Sequence, residues 1–322
     1  MLVGIGTFLG SGTPPPKPPI DRNSLYYRQV QLLMRVLPFV AKEECFALKG
    51  GTAINLFIRN LPRLSVDIDL SYQPLDSREK ALIKIDEALG RIKAGIEKGL
   101  PEVRVHHQAG QDDSKRMIVS TAQAQIKIEL SPVLRGSVFP AELRTVCAEA
   151  EKEFGFAEIL VVSFADLYAG KLCAALDRQH PRDLFDVGLL FENEGLTRDL
   201  VRTFIVYLIS HNRPIAELLD PEKKGIKGLY ENEFVKMTAK PVSLEKLEAT
   251  REKLITDIRK SLTEDDKKFL LSFKAREPEW NLLGLDGVDQ LPAVRWKLIN
   301  LEKMGGERHE KALHKLEEIL RT

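Results

Sequence analysis

The chain is poor in the residues that would tie it to several common protein classes. It has three cysteines, Cys45, Cys147 and Cys173, in 322 residues. An odd number, far apart and without CxxC spacing, excludes a disulfide framework and a zinc ribbon. An excess of one charge sign is missing as well: 48 Lys and Arg against 47 Asp and Glu leave a net charge of +1. That balance excludes a protein that coats DNA through bulk charge and an acidic disordered tail, yet leaves room for local basic patches. Nowhere do about 18 apolar residues run together, so no membrane span and no membrane partner are expected. Internal repeats are absent too. Met1 to Gly10 is apolar, but no basic segment precedes it, and the proline run Pro14-Pro15-Pro16-Lys17-Pro18-Pro19 follows. A secretory signal is therefore not expected. Residues 1–22 read as a flexible, proline-rich lead-in, and a reducing cytoplasm is the expected compartment.

What remains has an ordinary globular composition, with 43% hydrophobic and 30% charged residues, and is long enough for two domains. Asn23 and Ser24 offer N-caps for a helix over 25–42, whose Leu32, Leu33, Val36, Leu37 and Val40 recur at helical spacing. A short strand over 46–48 ends at Gly50-Gly51, and a short helix follows over 52–59. Residues 65–70 read as a strand with Val66, Ile68 and Leu70 on one face and Asp67 and Asp69 on the other. A helix is expected over 77–98 and strands over 103–107, 116–121 and 123–130, with a turn at Gly110-Gln111-Asp112-Asp113. One more strand fits 159–162. Helices fit 164–176, 182–191, 196–210, 243–262, 264–274 and 292–303, with Thr263 as an N-cap and Pro292 at a first helical position. The fold class is thus α+β: a mixed-sheet domain over 23–150 and a mainly helical domain over 151–322.

Three features carry chemistry. Lys49-Gly50-Gly51-Thr52 lies on a strand-to-helix turn. Glycine lets backbone approach a ligand closely, and N–H groups at a helix start can bind phosphate, although a Gly pair also suits a plain turn. Asp67-Ile68-Asp69 puts two carboxylates on one strand face, about 6.6–7 Å apart. Such a pair repels itself unless a cation or water satisfies it, and magnesium favours a couple of carboxylates together with substrate phosphates. An exposed, solvated strand face is the alternative. Glu129 shares a face with Lys127, opposite Ile126, Ile128 and Leu130. Beside the Asp67–Asp69 strand it would complete a two-metal site for nucleotidyl transfer; otherwise it is part of a solvated face. Further on, Lys171 and Arg178 are seven apart, hence on one face of a continuing helix, and Arg182 follows. Asp183 and Asp186, three apart, pair with these cations or belong to the site.

The order of a Gly pair on a strand-to-helix turn, a DxD strand and a later acid resembles the polymerase-β-type nucleotidyltransferase superfamily. More closely, Leu48-Lys49-Gly50-Gly51-Thr52-Ala53 with Leu64-Ser65-Val66-Asp67-Ile68-Asp69-Leu70 resembles the AbiEii/AbiGii toxin family. A second block strengthens the likeness: Asp166-Leu167-Tyr168-Ala169-Gly170-Lys171-Leu172-Cys173-Ala174-Ala175, with Arg178 and Arg182-Asp183-Leu184-Phe185-Asp186. The motifs span about residues 25 to 210. The chain departs from the family's usual Gly-Ser at Gly51-Thr52, and its stretch of 15 residues between Gly51 and Asp67 is long. The resemblance implies a polymerase-β-like fold and a toxin of a type IV toxin–antitoxin or abortive-infection system. It also implies nucleotide transfer from an NTP to an acceptor, the tRNA 3′ end above all, and a separately encoded antitoxin. Magnesium would be the cofactor, as two ions, with manganese as a substitute. Asp67, Asp69 and Glu129 would hold metal. Lys171, with Asp183 or Asp186 as a distal acid, would join Asp67 and Asp69 in catalysis. Lys49, Gly50, Gly51, Thr52, Ser65, Lys127, Arg178 and Arg182 would bind nucleotide. Transfer to a small molecule or a protein hydroxyl, and a non-catalytic nucleotide- or partner-binding module, are the competing readings. His106-His107 reads as a surface pair, His180 as a phosphate contact or a loop residue, Cys173 as a buried apolar filler, and Trp280 and Trp296 as packing residues.

Overall fold

The computed structural model of the protein describes residues 21–109 and 115–321. The proline-rich lead-in and the turn expected at Gly110-Gln111-Asp112-Asp113 lie outside the described residues, apart from Asp21 and Arg22. Helix α1 spans Leu25–Val40; Ser24 caps it by accepting the Tyr27 N–H. Strand β1 (Phe46–Lys49) runs into α2 (Gly50–Ala53), which continues as a π-helical turn over Ile54–Ile58. Then come β2 (Asp67–Tyr72), α3 (Arg78–Gly99), β3 (Arg104–Ala109), β4 (Lys115–Ser120), β5 (Gln125–Leu130), β6 (Glu142–Thr145), α4 (Ala148–Phe154) and β7 (Glu158–Val161). The helical half holds α5 (Phe164–Asp177), α6 (Pro181–Asn193), α7 (Arg198–Ser210), α8 (Ile215–Leu219), α9 (Lys227–Glu233), α10 (Leu244–Ser261), α11 (Glu264–Lys274), α12 (Trp280–Leu283), α13 (Pro292–Glu302) and α14 (Gly306–Arg321).

The seven strands form one mixed sheet in the order β3-β4-β5-β2-β1-β7-β6. Strand β2 sits at its centre, antiparallel to β1 and parallel to β5. Its alternation is as the sequence predicts: Ile68 and Leu70 are fully buried, whereas Asp67 and Asp69 are half-buried on the opposite face. Helix α1 packs against β5 and β7, and α3 against β3. The last sheet strand, β7, comes from beyond residue 150 and pairs in parallel with β1 at Leu48 and Val161. Helix α5 follows it directly, so the sheet and the helical half meet where α2 touches α5 and α6. A second tie is a bridge between Arg63 and Thr238, with the Leu64 N–H donating to the Met237 carbonyl at 2.8 Å.

Helix ends follow local chemistry. Thr263 and Asp266 form a capping box, and Pro181 and Pro292 occupy first turns. Strand β6 and helices α4, α8, α9, α12 and α14 are additions to the elements expected from sequence. Strand β6 is a short edge strand, mostly exposed, so it lacks the apolar alternation that marks a buried strand.

Candidate active site

The paired strands bring the expected residues onto one face. In the β2–β5 register Asp67 lies beside Lys127 and Asp69 beside Glu129, while in the β1–β2 register Lys49 lies beside Asp69. Side chains at paired positions share a face, so Lys49, Asp67, Asp69, Lys127 and Glu129 all border one side of the sheet. Neither Asp67 nor Asp69 has a hydrogen-bond or ion-pair partner for its carboxylate among the described residues. Burial pushes the Asp67 carboxyl pKa up; Lys127, Arg182 and Arg178 oppose this from the surroundings, and the net direction is upward. Asp69 is also raised, first by burial, with Lys49 opposing and Asp67 and Glu129 adding to the rise. Two adjacent, unpartnered carboxylates fit a divalent cation, which would remove both the desolvation and the mutual repulsion. Glu129, the candidate third acid, has Arg116 of β4 2.5 Å from its Oε1. Among the described residues no group of three His, Cys, Asp or Glu side chains is arranged to hold a metal, and His106-His107 is no exception.

The Gly pair serves clearance. Gly50 has φ +73°, and a Cβ there would sit 2.3 Å from Oδ2 of Asp69. A Cβ on Gly51 would lie 2.7 Å from Nη2 of Arg63 and 2.9 Å from Oγ of Ser65. The pair thus lets the turn press against Asp69 on one side and Arg63 on the other. Thr52 is fully buried; its hydroxyl donates to the Asp67 carbonyl at 2.5 Å and accepts from the Ser65 hydroxyl at 3.1 Å. Ser65 is buried as well. In this arrangement the Thr52 and Ser65 side chains, expected to bind nucleotide, fix the start of β2.

Lys171, Asp183 and Asp186 form a buried network behind this face. The Lys171 ammonium donates to Asp183 Oδ1 at 2.8 Å and lies 3.0 Å from Asp186 Oδ2. Arg178 adds two bonds to Asp183, at 2.5 and 2.9 Å. Arg63 grips Asp186 with two bonds, at 2.8 and 2.6 Å, and Asn55 adds a third at 3.2 Å. Burial works against ionising both acids. For Asp183 Lys171 and Arg178 outweigh it, and for Asp186 Arg63 and Lys171 do, so both pKa values fall below the usual carboxylate range. Both acids have 0% exposure. Asp183 and Asp186, the two candidates for the distal acid, lie side by side here and hold Lys171, Arg178 and Arg63. Lys171 is paired with these two acids, and its charge also opposes the rise of the Asp69 pKa. Arg182 and His180 both approach Glu233 on α9, at 3.3 and 3.2 Å. His180 Nδ1 accepts the Arg182 N–H, so this histidine is the N-cap of α6.

Residues 31–300 match the protein family described as nucleotidyl transferase AbiEii toxin, type IV TA system. The chain belongs to the AbiEii family. It is accordingly a nucleotidyltransferase and a toxin of a type IV toxin–antitoxin system, with a nucleotide as substrate and an antitoxin as partner. Among curated proteins compared by sequence, none matches. Among solved structures, MenT4, a nucleotidyltransferase toxin from Mycobacterium tuberculosis H37Rv, has a similar fold, with a TM-score of 0.58. The similarity covers 86% of this chain and 93% of MenT4 at 17% sequence identity. Among the described residues no helix is long and apolar enough to cross a membrane.

In this AbiEii-family chain the sequence reading missed Arg63, Asn55 and Arg116. Their partners lie on other elements, and only an arginine within the apolar stretch Leu61 to Val66 could have drawn attention to Arg63. Cys173 is buried, and burial pushes its thiol pKa up, as befits a packing residue. Trp280 packs against Phe269 and Phe273, whereas Trp296 is 43% exposed.

Two substitutions separate these roles. Gly50→Ala forces a left-handed conformation and a clash with Asp69. It is expected to cost about 2 kcal/mol in a urea melt and at least ten-fold in nucleotide transfer; wild-type behaviour would contradict the packing described. Thr52→Val removes the bond to the Asp67 carbonyl and should cost about 1 kcal/mol. Transfer per folded molecule should stay within a few-fold of wild type, whereas a phosphate-binding hydroxyl would show as a raised KM for NTP.

Proposed function

We propose that this toxin uses magnesium at Asp67 and Asp69 to transfer a nucleotide from an NTP to the 3′ end of tRNA. The observation that carries this reading is the unpartnered carboxylate pair of β2, bordered by Lys49 and Lys127 and approached by Arg178 and Arg182. Bound magnesium, with manganese as a substitute, would supply the positive charge that lets two carboxylates and a triphosphate share one place. Asp67 and Asp69 are the residues that would hold it. The Lys127 ammonium has no hydrogen bond or ion pair among the described residues and lies beside Asp67, which suits it to a phosphate oxygen. Arg178, whose side chain is 60% exposed, is held by Asp183 and presents its remaining donors outward. In the reaction an acceptor oxygen forms a bond to the α-phosphorus, the bond to pyrophosphate breaks, and the hydroxyl proton is lost. These cations offset negative charge as it gathers on the departing pyrophosphate. A tRNA acceptor places the activity in the cytoplasm.

The acceptor is tested by incubating the protein, magnesium and each α-labelled NTP with total tRNA, native or periodate-oxidised. Label on native tRNA alone is the expected result. Label on both, or on protein or small molecules instead, would overturn the 3′-hydroxyl acceptor.

A further inference from the structure

A cavity of about 410 Å³, its open mouth included, adjoins the carboxylate pair of β2. Ser71 follows Asp69 by two residues on that strand, so it lies on the same face about 6.6–7 Å further along. Lys49 lies beside Asp69 in the β1–β2 register. Lys49 and Ser71 both line the cavity. The Lys49 ammonium has no hydrogen bond or ion pair among the described residues. The other walls come from residues 134–138, from α7 with Tyr207, and from the start of α13 with Leu291 and Ala293.

These walls are tied down by bonds within the protein. The Gly136 N–H donates to the Tyr72 carbonyl at 2.8 Å, which pins residues 134–138 to the end of β2. Gly136 has φ +75°, and a Cβ there would sit 2.7 Å from Cδ2 of Leu75 and 3.1 Å from Cδ2 of Leu291. Buried Asp166 accepts the N–H groups of Val138 and Phe139 at 2.7 and 3.0 Å, and the Tyr207 hydroxyl at 3.1 Å. One carboxylate thus holds two walls. The Tyr207 ring also packs on Gly170 of α5, where a Cβ would lie 3.3 Å from its Cε1. Arg135, 6% exposed, donates from Nη1 to the carbonyls of Asp76 and Ser77 at 3.2 and 3.4 Å, while its Nε has no partner among the described residues. Apolar side chains make up most of the remaining lining. A preformed, mostly apolar cavity with a few fixed polar groups suits a flat organic ligand, and an aromatic ring suits a base through stacking.

We propose that this cavity receives the nucleoside half of the NTP, with the Tyr207 ring as the surface for the base and Lys49 as the donor where nucleoside and phosphates meet. The assignment rests on the reading that Asp67 and Asp69 hold the triphosphate through magnesium. A triphosphate held there leaves its sugar and base one two-residue step along β2, at Ser71 and the cavity. Asp166 is a positioning residue in this arrangement, since it acts only through Val138, Phe139 and Tyr207.

The test measures equilibrium binding to the full chain, in magnesium and without an acceptor, of each of the four NTPs and of inorganic triphosphate, which has no nucleoside. The variants are Tyr207→Leu, Tyr207→Phe and Ala293→Phe, the last of which fills the cavity from α13. Tyr207→Leu and Ala293→Phe should each weaken the best-bound NTP about ten-fold or more and narrow the differences among the four. Affinity for inorganic triphosphate should not change. Tyr207→Phe loses the bond to Asp166 as Tyr207→Leu does, but keeps the ring, and should bind NTP within about two-fold of wild type. Unchanged NTP affinity in Tyr207→Leu and Ala293→Phe would overturn the assignment. So would an equal loss of NTP and inorganic triphosphate, which would mean that the changes distort the catalytic face. The two variants lie on different helices, so whichever melts cooperatively decides the matter. Inorganic triphosphate that still binds to Asp67→Asn would instead overturn the metal-site reading, so the two readings fail separately.

Discussion

Asp69→Asn is expected to reduce nucleotide transfer at least a thousand-fold and to end growth arrest, while the metal-free protein becomes more stable. The two effects have one cause. The Asp69 carboxylate shares a strand face with Asp67, has no partner among the described residues, and is disfavoured as an anion by burial. Its pKa is raised in the fold, so the folded state holds its proton to higher pH than the unfolded chain does. The contribution of Asp69 to stability is therefore greatest below the ordinary carboxylate value of 3.8 and falls as pH rises through the raised value. At neutral pH the metal-free fold carries the cost of this charge. An amide of the same shape removes it, for a gain of about 1–3 kcal/mol in a urea melt. The same change would remove a ligand of the proposed magnesium ion, hence the expected loss of transfer. Added magnesium should raise the melting temperature of wild type and leave Asp69→Asn unmoved. An Asp69→Asn variant that is less stable than wild type without metal would show that the carboxylate is a structural acceptor after all.

Asp186→Ala is expected to cost about 3–5 kcal/mol. Its carboxylate is fully buried between Arg63 and Lys171, which are 3% and 6% exposed. Removing it strands the Arg63 guanidinium in the interior and leaves Lys171 with Asp183 alone. The pH dependence has the opposite sign to that of Asp69. Asp186 and Asp183 have pKa values below 3.8, so their stabilisation is present above that value and is lost as pH falls through their folded pKa values. Wild type should lose stability steeply below about pH 4, and Asp186→Asn should flatten that acid limb. Denaturant melts at pH 3 to 7 measure both effects. A cost below about 1 kcal/mol for Asp186→Ala would mean that Arg63 finds other partners.

The placement of the two acids was legible because a strand has a period of two. Asp67 and Asp69 alternate with Val66, Ile68 and Leu70, and that alternation alone put both acids on one face. The later strand with Lys127 and Glu129 proved to be the parallel neighbour of β2, in a register that sets Glu129 beside Asp69. Its carboxylate nevertheless lies against Arg116, a cross-strand contact that no local pattern reports. Spacing also placed Asp183 and Asp186 together on one helix. It could not show that Arg63, 123 residues earlier, closes the cage around Asp186. The Gly pair was legible as a tight turn, but its purpose was not. Only the approach of Asp69 to Gly50 and of Arg63 to Gly51 explains why neither position accepts a side chain. Helix α14 lies beyond the helices expected from the sequence, although Leu316 and Leu320 recur at helical spacing and are buried. The polar residues around them dominate its composition.

Asp67 and Asp69 are proposed to hold the divalent cation required for nucleotidyl transfer. The most direct test is single-turnover transfer from an α-labelled NTP onto tRNA, with wild type and Asp67→Asn, in magnesium and in EDTA. The account predicts label from wild type in magnesium alone, and none from Asp67→Asn in either condition although it melts cooperatively. Transfer by wild type in EDTA, or by Asp67→Asn at a wild-type rate in magnesium, would contradict it.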